Sequence, residues 1–162
     1  MISTSARKGI EKLLTRYPEE EKRSALLPAL HIVQNENQGH LTEDLMKDVA
    51  DLLEITPLQV YEVATFYTMY NLKPVGKYHI QVCRTLPCAL MGAEKLVSYL
   101  EVKLGIHRGE TTPDNLFTLS EVECLASCGT APMMQINHSY YENLNKNKVD
   151  KILNDLREIA KK

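Results

Sequence analysis

The sequence of 162 residues is short of several things, and each shortage removes a class of function. No run approaches the roughly 20 apolar residues that cross a bilayer. Charge of one sign is missing too. The 19 basic and 21 acidic side chains leave −2 at neutral pH, so nothing draws the chain to nucleic acid or an anionic membrane. There is no Gly-x-Gly-x-x-Gly and no phosphate loop, and hence no dinucleotide fingerprint. Repeats and low-complexity tracts are absent. The opening "MISTSARKGIEKLL" lacks the apolar core of a secretory signal. Its acid-free, Ser/Thr-rich start has a faint transit-peptide character, but a helix cap at Ser3 or Ser5 is the preferred reading. A cytosolic compartment is therefore expected, where cysteines serve metal or redox chemistry rather than structural disulfides.

What is present divides at "NLKPVG". Residues 1–75 are expected to form a small helical bundle and residues 76–162 a second, α+β domain. In the first, "PEEEKRSALLPALHIVQNENQGH" predicts a helix entered through Pro18 and ended by Asn37 and Gly39, kinked or broken by Pro28. "TEDLMKDVADLLEI" places Leu45, Val49, Leu52 and Leu53 on one face under a Thr42 cap. "TPLQ" predicts a capping box, with Thr56 as cap, Pro57 at the first helical position and Gln59 reaching back. The helix after it, "VYEVATFYTMY", is apolar nearly all round, and burial of Tyr61, Phe66, Tyr67 and Tyr70 within the chain is favoured over a partner surface.

Beyond residue 75 strands alternate with helices. "KYHIQVC" reads as a strand. "ALMGAEKLVSYLEVKLG" reads as one helix, with Ala93, Leu96, Val97, Leu100 and Leu104 inward and Gly105 as its stop. "TTPDN" is a turn. "LFTLSEVEC" and "APMMQIN" read as strands, with Met133 and Met134 on opposite faces, and "HSYYENL" as a short fourth. A last helix from about Lys146 shows Val149, Ile152, Leu153, Leu156 and Ile159. This β-α-β-β-α order suits a thioredoxin-like half-sandwich.

All four cysteines fall in this second part: Cys83, Cys88, Cys124 and Cys128. Their places at predicted strand ends would let the two pairs converge at one edge of the sheet. Thiol–disulfide exchange wants Cys-x-x-Cys, and neither pair has it. A tetrahedral zinc site commonly has at least one such tight turn. A [2Fe–2S] cluster needs two thiolates for each iron and is anionic. "CRTLPC" offers Arg84, no acid and a helix start near Pro87; "CLASCGTAP" offers no charge, and Gly129 to turn the backbone. With no Cys-x-His pair, histidine ligation of the Rieske kind is excluded. These residues favour the cluster.

"ATFYTMYNLKPVGKYHIQVCRTLPC", "GETTPDNLFTLSEVECLASCGTAPMMQIN" and "YENL" closely resemble the thioredoxin-like [2Fe–2S] subunit of the NADH-dehydrogenase module of respiratory complex I (NuoE type). The resemblance runs from about residue 15 to the end of the sequence. It implies that Cys83, Cys88, Cys124 and Cys128 hold one [2Fe–2S] cluster. It implies electron exchange with the FMN of a partner flavoprotein (NuoF type), which carries NADH, FMN and a [4Fe–4S] cluster. It also implies a place on the peripheral arm at the cytoplasmic side of the inner membrane, among further subunits. Two residues depart from the family pattern: Ala126 and Asn115 stand where glycine is common.

Other readings carry less. Similar subunits serve NAD-linked hydrogenases and formate dehydrogenases. A zinc-stabilised interaction module is the rival without redox chemistry. "MKDVADLLEITPLQVYEV" could pass for a helix-turn-helix, but no lysine or arginine lies between Asp48 and Leu72 to meet phosphate. His31, His40, His79, His107 and His138 show no metal-ligand spacing and are read as structural or solvated.

Overall fold

The computed structural model describes residues 1–161, whose contacts divide into two compact units, Met1–Pro74 and Val75–Lys162. The first unit is helical. Helix α1 (Thr4–Leu14) starts where the Ser3 side chain accepts from the Ala6 amide. A 3₁₀ segment, Glu19–Ala25, leads into α2 (Leu26–Glu36). The expected single helix is therefore broken, but ahead of Pro28 rather than at it. Pro28 sits in the first turn of α2, where its missing donor has no partner to lose. Helix α3 (Glu43–Leu53) is capped by Thr42, and its core stripe is Met46, Val49, Ala50 and Leu53, with Leu45 and Leu52 at the margin.

Helix α4 (Pro57–Phe66) has the capping box at Thr56 and Gln59. Its aromatic flank departs from expectation. Val60 and Ala64 are buried, whereas Tyr61, Phe66 and Tyr67 are exposed. Only Tyr70 joins the core, its hydroxyl donating to the Leu27 carbonyl at 2.9 Å. The helix stops at Phe66, because Tyr67 turns extended (ψ 117°) and swings the following residues off the helical face.

In the second unit the strands are β1 (Tyr78–Cys83), β2 (Phe117–Val122), β3 (Met134–Ile136) and β4 (Ser139–Tyr141), in sheet order β2-β1-β3-β4. β1 pairs parallel to β2 and antiparallel to β3, and β3 pairs antiparallel to β4. Along β1, Tyr78, Ile80 and Val82 are buried with α6 (Ala93–Leu104) and α7 (Lys146–Ala160), which contribute Leu96, Val97, Leu100, Val149, Leu153 and Leu156. Leu104 and Ile152 pack at the margin, and Ile159 is exposed. Met133 and Met134 are both fully buried, so neither points away from the core as the alternation implied; β3 begins at Met134, and Met133 belongs to the approach segment.

The predicted helix after β1 is two. Gly92, at φ +93°, separates α5 (Leu86–Leu90) from α6. A left-handed residue cannot continue a right-handed helix, and glycine takes that conformation without strain. Asn115 takes φ +54° in the "TTPDN" turn, where the Asp114 carboxylate accepts from the Leu116 amide at 3.0 Å.

His79 lies on the other face of β1, its Nε2 2.8 Å from Ser120 Oγ, and burial lowers its pKa from 6.5 to about 4. The folded state therefore refuses a proton that the unfolded chain accepts. Stability is complete above about pH 6.5 and falls as pH drops toward 4, with a slope of at most ~1.4 kcal/mol per pH unit. Urea midpoints from pH 7.5 to 4.5 should show this decline in wild type and a flatter curve in His79→Gln.

Candidate metal centre: four thiols from two strand ends

Cys83 closes β1, and two residues on, Thr85 opens α5, which carries Cys88 in its middle. Both cysteines are buried. The second pair lies on the other side of the parallel β1–β2 ladder. β2 ends at Val122, so Cys124 falls two residues past the strand and Cys128 starts a short 3₁₀ turn; both are exposed. All four thiols are free.

Parallel neighbours end at the same edge of a sheet, and the loops that leave them meet there. The thiols of Cys83 and Cys88 lie close enough to perturb each other's ionisation, as do those of Cys124 and Cys128. Cys128 also lies within electrostatic reach of Cys83 and Cys88. Among the described residues no three His, Cys, Asp or Glu side chains close on a point that would suit one ion. The thiols stand as two couples.

Backbone amides are aimed at three of the sulfurs. The Leu125 amide, from the second loop, bonds Cys83 of the first; the Met133 amide bonds Cys88; the Ala126 amide donates to Cys124 Sγ at 3.3 Å. Thr85 Oγ1 is 3.3 Å from Cys83 Sγ. Burial pushes the Cys83 thiol up, but the Thr85 and Leu125 hydrogen bonds outweigh it and leave the pKa below its usual 9.0. For Cys88 burial, followed by the neighbouring Cys83, pushes the thiol up to about 11. Burial and then the adjacent Cys124 raise Cys128 as well.

Arg84 does not face the thiols as a free cation. Its Nε and Nη2 both donate to Glu123 Oε1, at 2.9 and 2.7 Å. The pair is solvent-exposed and ties the residue after Cys83 to the residue before Cys124. It also neutralises the one carboxylate adjacent to a thiol in sequence. A two-iron, two-sulfide group, an anion bound by four thiolates in two couples, fits these donors.

The left-handed residue of the second loop is Ala126, at φ +59°, and not Gly129, whose φ is ordinary. An L-residue there is strained by roughly 1–2 kcal/mol. Ala126→Gly should accordingly raise the stability of the chain by about 1 kcal/mol, seen as a higher urea midpoint at unchanged slope.

Two polar residues of this loop, Ser127 and Thr130, and their partner Glu142 escape a reading by motif. Glu142 Oε1, just past β4, accepts from Thr130 Oγ1 at 2.7 Å and also from Ser127 Oγ. Those hydrogen bonds, Ser127's first, hold the carboxyl below its usual 4.5. The sequence does carry a signal for it: Glu142 is the lone acid between Glu123 and Asp150.

A sheet of this order, with paired thiols and aimed amides at one edge, defines an iron–sulfur ferredoxin built on a thioredoxin-like frame. The family model for the thioredoxin-like [2Fe-2S] ferredoxin matches residues 10–157, and the chain belongs to that family. It is 51% identical over 143 residues to an NADH-quinone oxidoreductase subunit of Rickettsia prowazekii, covering 88% of this chain and 81% of that one. It is 46% identical over 151 residues to the corresponding NADH-quinone oxidoreductase subunit of Rhizobium meliloti, covering 93% and 88%. An NAD+-reducing [NiFe]-hydrogenase in the air-oxidized state shares the fold at TM-score 0.70 and 20% identity, over 82% of this chain and 23% of the hydrogenase chain.

Proposed function

We propose that this chain is the one-electron relay of an NADH-quinone oxidoreductase, and that Cys83, Cys88, Cys124 and Cys128 are the ligands of its single [2Fe–2S] cluster. Cys83 with Cys88 holds one iron and Cys124 with Cys128 the other. The observation that carries this reading is the convergence of two pairs of thiols at one sheet edge, with backbone amides aimed at Cys83, Cys88 and Cys124. Two couples suit two irons better than one tetrahedral zinc.

When bound, the cluster supplies reversible one-electron exchange. The chain's own residues set the terms. Burial of Cys83 and Cys88 withdraws half of the ligand set from water, and the amides of Leu125, Met133 and Ala126 compensate negative charge on sulfur. The Arg84–Glu123 pair keeps an uncompensated carboxylate away from Cys124. Without a dinucleotide fingerprint, this chain leaves NADH oxidation to a partner, the FMN- and NADH-binding [4Fe–4S] flavoprotein (NuoF type). Its place is the peripheral arm on the cytoplasmic side of the inner membrane, in keeping with the lack, among the described residues, of any helix long and apolar enough to cross a bilayer. Residues 76–162 act as the redox domain and residues 1–75 as a helical one. The quinone-linked host is preferred over a hydrogenase because relatives near 50% identity carry that name, whereas the hydrogenase likeness extends to fold alone.

The test is the EPR spectrum of the anaerobically purified, dithionite-reduced chain, with iron, sulfide and zinc assayed in the same sample. A spin-one-half signal with two irons and two sulfides per chain is expected. A silent sample holding zinc and no iron would refute the assignment.

A further inference from the structure

We propose that Glu142 is a positioning residue for the outer cysteine pair: its carboxylate gathers the Ser127 and Thr130 hydroxyls, holds the Cys124–Cys128 loop in ligating shape, and biases the site against taking up an electron. This rests on the four-thiol reading above. The start of the loop is held by the Arg84–Glu123 pair and by the Leu125 amide on Cys83, whereas around Cys128 the side-chain hydrogen bonds are those of Ser127 and Thr130. Cys124, Ala126, Cys128 and Gly129 are exposed, and only Leu125 packs against the core. Ser127 directly precedes a ligand. Its hydroxyl and that of Thr130 are 2.7 Å apart, Thr130 Oγ1 also lies 3.1 Å from the Ser127 carbonyl, and both hydroxyls reach Glu142 Oε1.

Two hydroxyls own two protons, yet four contacts compete for them. An ionised carboxylate can only accept, so it draws both protons to itself and fixes both side chains in one orientation. Hydrogen bonds to a charged acceptor are about twice as strong as neutral ones. The backbone is stitched at the same place, with the Asn143 amide on the Thr130 carbonyl at 2.7 Å and the Leu144 amide on the Pro132 carbonyl at 3.0 Å. The segment that follows β4, which carries Glu142, is thus joined by its backbone to the loop at Thr130 and Pro132.

A carboxylate beside an anionic group is otherwise a liability. From Cys124 to Tyr141 the sequence has no Asp, Glu, Lys or Arg, so Glu142 brings the one formal charge of that stretch to the loop. A neutral amide could accept the same hydrogen bonds without the repulsion. The charge therefore has an effect of its own: it disfavours the more negative, reduced state of the site.

The experiment uses the full-length, cluster-loaded chain in wild type, Glu142→Ala, Glu142→Gln, Ser127→Ala and the double alanine variant, with two readouts. One is the rate at which an iron chelator bleaches the visible spectrum; the other is the midpoint potential from an EPR-monitored redox titration. Glu142→Ala and Ser127→Ala should each bleach ~10-fold faster than wild type, with the double variant no faster than Glu142→Ala. Glu142→Gln should return most of the way to the wild-type rate, since its amide oxygen still accepts, yet show a higher midpoint. Unchanged bleaching in both single alanine variants, with far-UV circular dichroism intact, overturns the positioning role. An unchanged midpoint in Glu142→Gln overturns the charge effect. If Glu142→Ala fails to fold, Ser127→Ala and Glu142→Gln decide the matter. A wild-type chain that carries no iron sinks the four-thiol reading, and this inference with it.

Discussion

Cys88→Ser should yield a folded chain that has lost the reduced-state EPR signal, whereas Cys128→Ser should keep a weaker, altered one. The difference comes from burial. Cys88 is 2% exposed and sits inside the second unit's core cluster, while Cys128 is open to solvent. A serine at 88 puts a hydroxyl where water cannot satisfy it, at a cost of about 1–3 kcal/mol, besides removing a thiolate. Serine at 128 meets water, and an alkoxide or a water molecule can occupy the vacated position. Iron per chain and the EPR spectrum measure the first effect, and a urea titration of the metal-free proteins isolates the second. Equal iron content in Cys88→Ser and wild type would remove Cys88 from the ligand set.

Gly76→Ala should destabilise the second unit by about 1–3 kcal/mol, the usual range for overpacking. A Cβ at this position would stand 2.9 Å from the Phe117 carbonyl carbon and 3.0 Å from both Leu116 C and Phe117 N, all of them backbone. Backbone of a paired strand cannot step aside as a side-chain tip can. The Gly76 amide also donates to the buried Thr118 Oγ1 at 2.6 Å, so a shift that relieved the clash would strain this bond. Phe117 and Thr118 start β2, so the clash falls on the first pairs of the β1–β2 ladder. Thermal melting reads it directly, at roughly 4–8 °C per kcal/mol for a unit of this size. An unaltered melting curve would mean that the turn into β1 is looser than its contacts imply.

Much of the frame can be read locally. The Thr56–Gln59 box, the Thr42 cap, the Gly105 stop and the β1 alternation each depend on residues within one turn or one strand, and each is found in place. The misreadings share a cause: they turn on partners remote in sequence or on one backbone angle. Gly92 looks ordinary in a helical pattern until its φ proves positive. Tyr61, Phe66 and Tyr67 are apolar enough for a core, but the first unit's interior is already filled from α2 and α3 by Leu26, Leu30, Val33, Val49 and Leu53.

The site divides in the same way. Pairs of cysteines at strand ends are legible from spacing and pattern. Arg84 is legible as a cation but not as the partner of Glu123, 39 residues away. The Glu142 clamp is not legible at all as a clamp, because β4 brings it to Ser127 across 15 residues.

Gly92 has one more consequence. It leaves Cys88 on a helix of five residues, far below the length at which a helix is stable alone. Such a segment keeps its shape through what its one buried side chain is joined to. If iron is lost, opening should begin there and stay there: the amides of residues 86 and 88–92 would exchange hydrogen quickly, while α6, set off by the left-handed glycine, keeps its protection. Loss of metal would then mark the chain as a local unlatching, visible to a protease or an assembly factor long before the fold itself gives way.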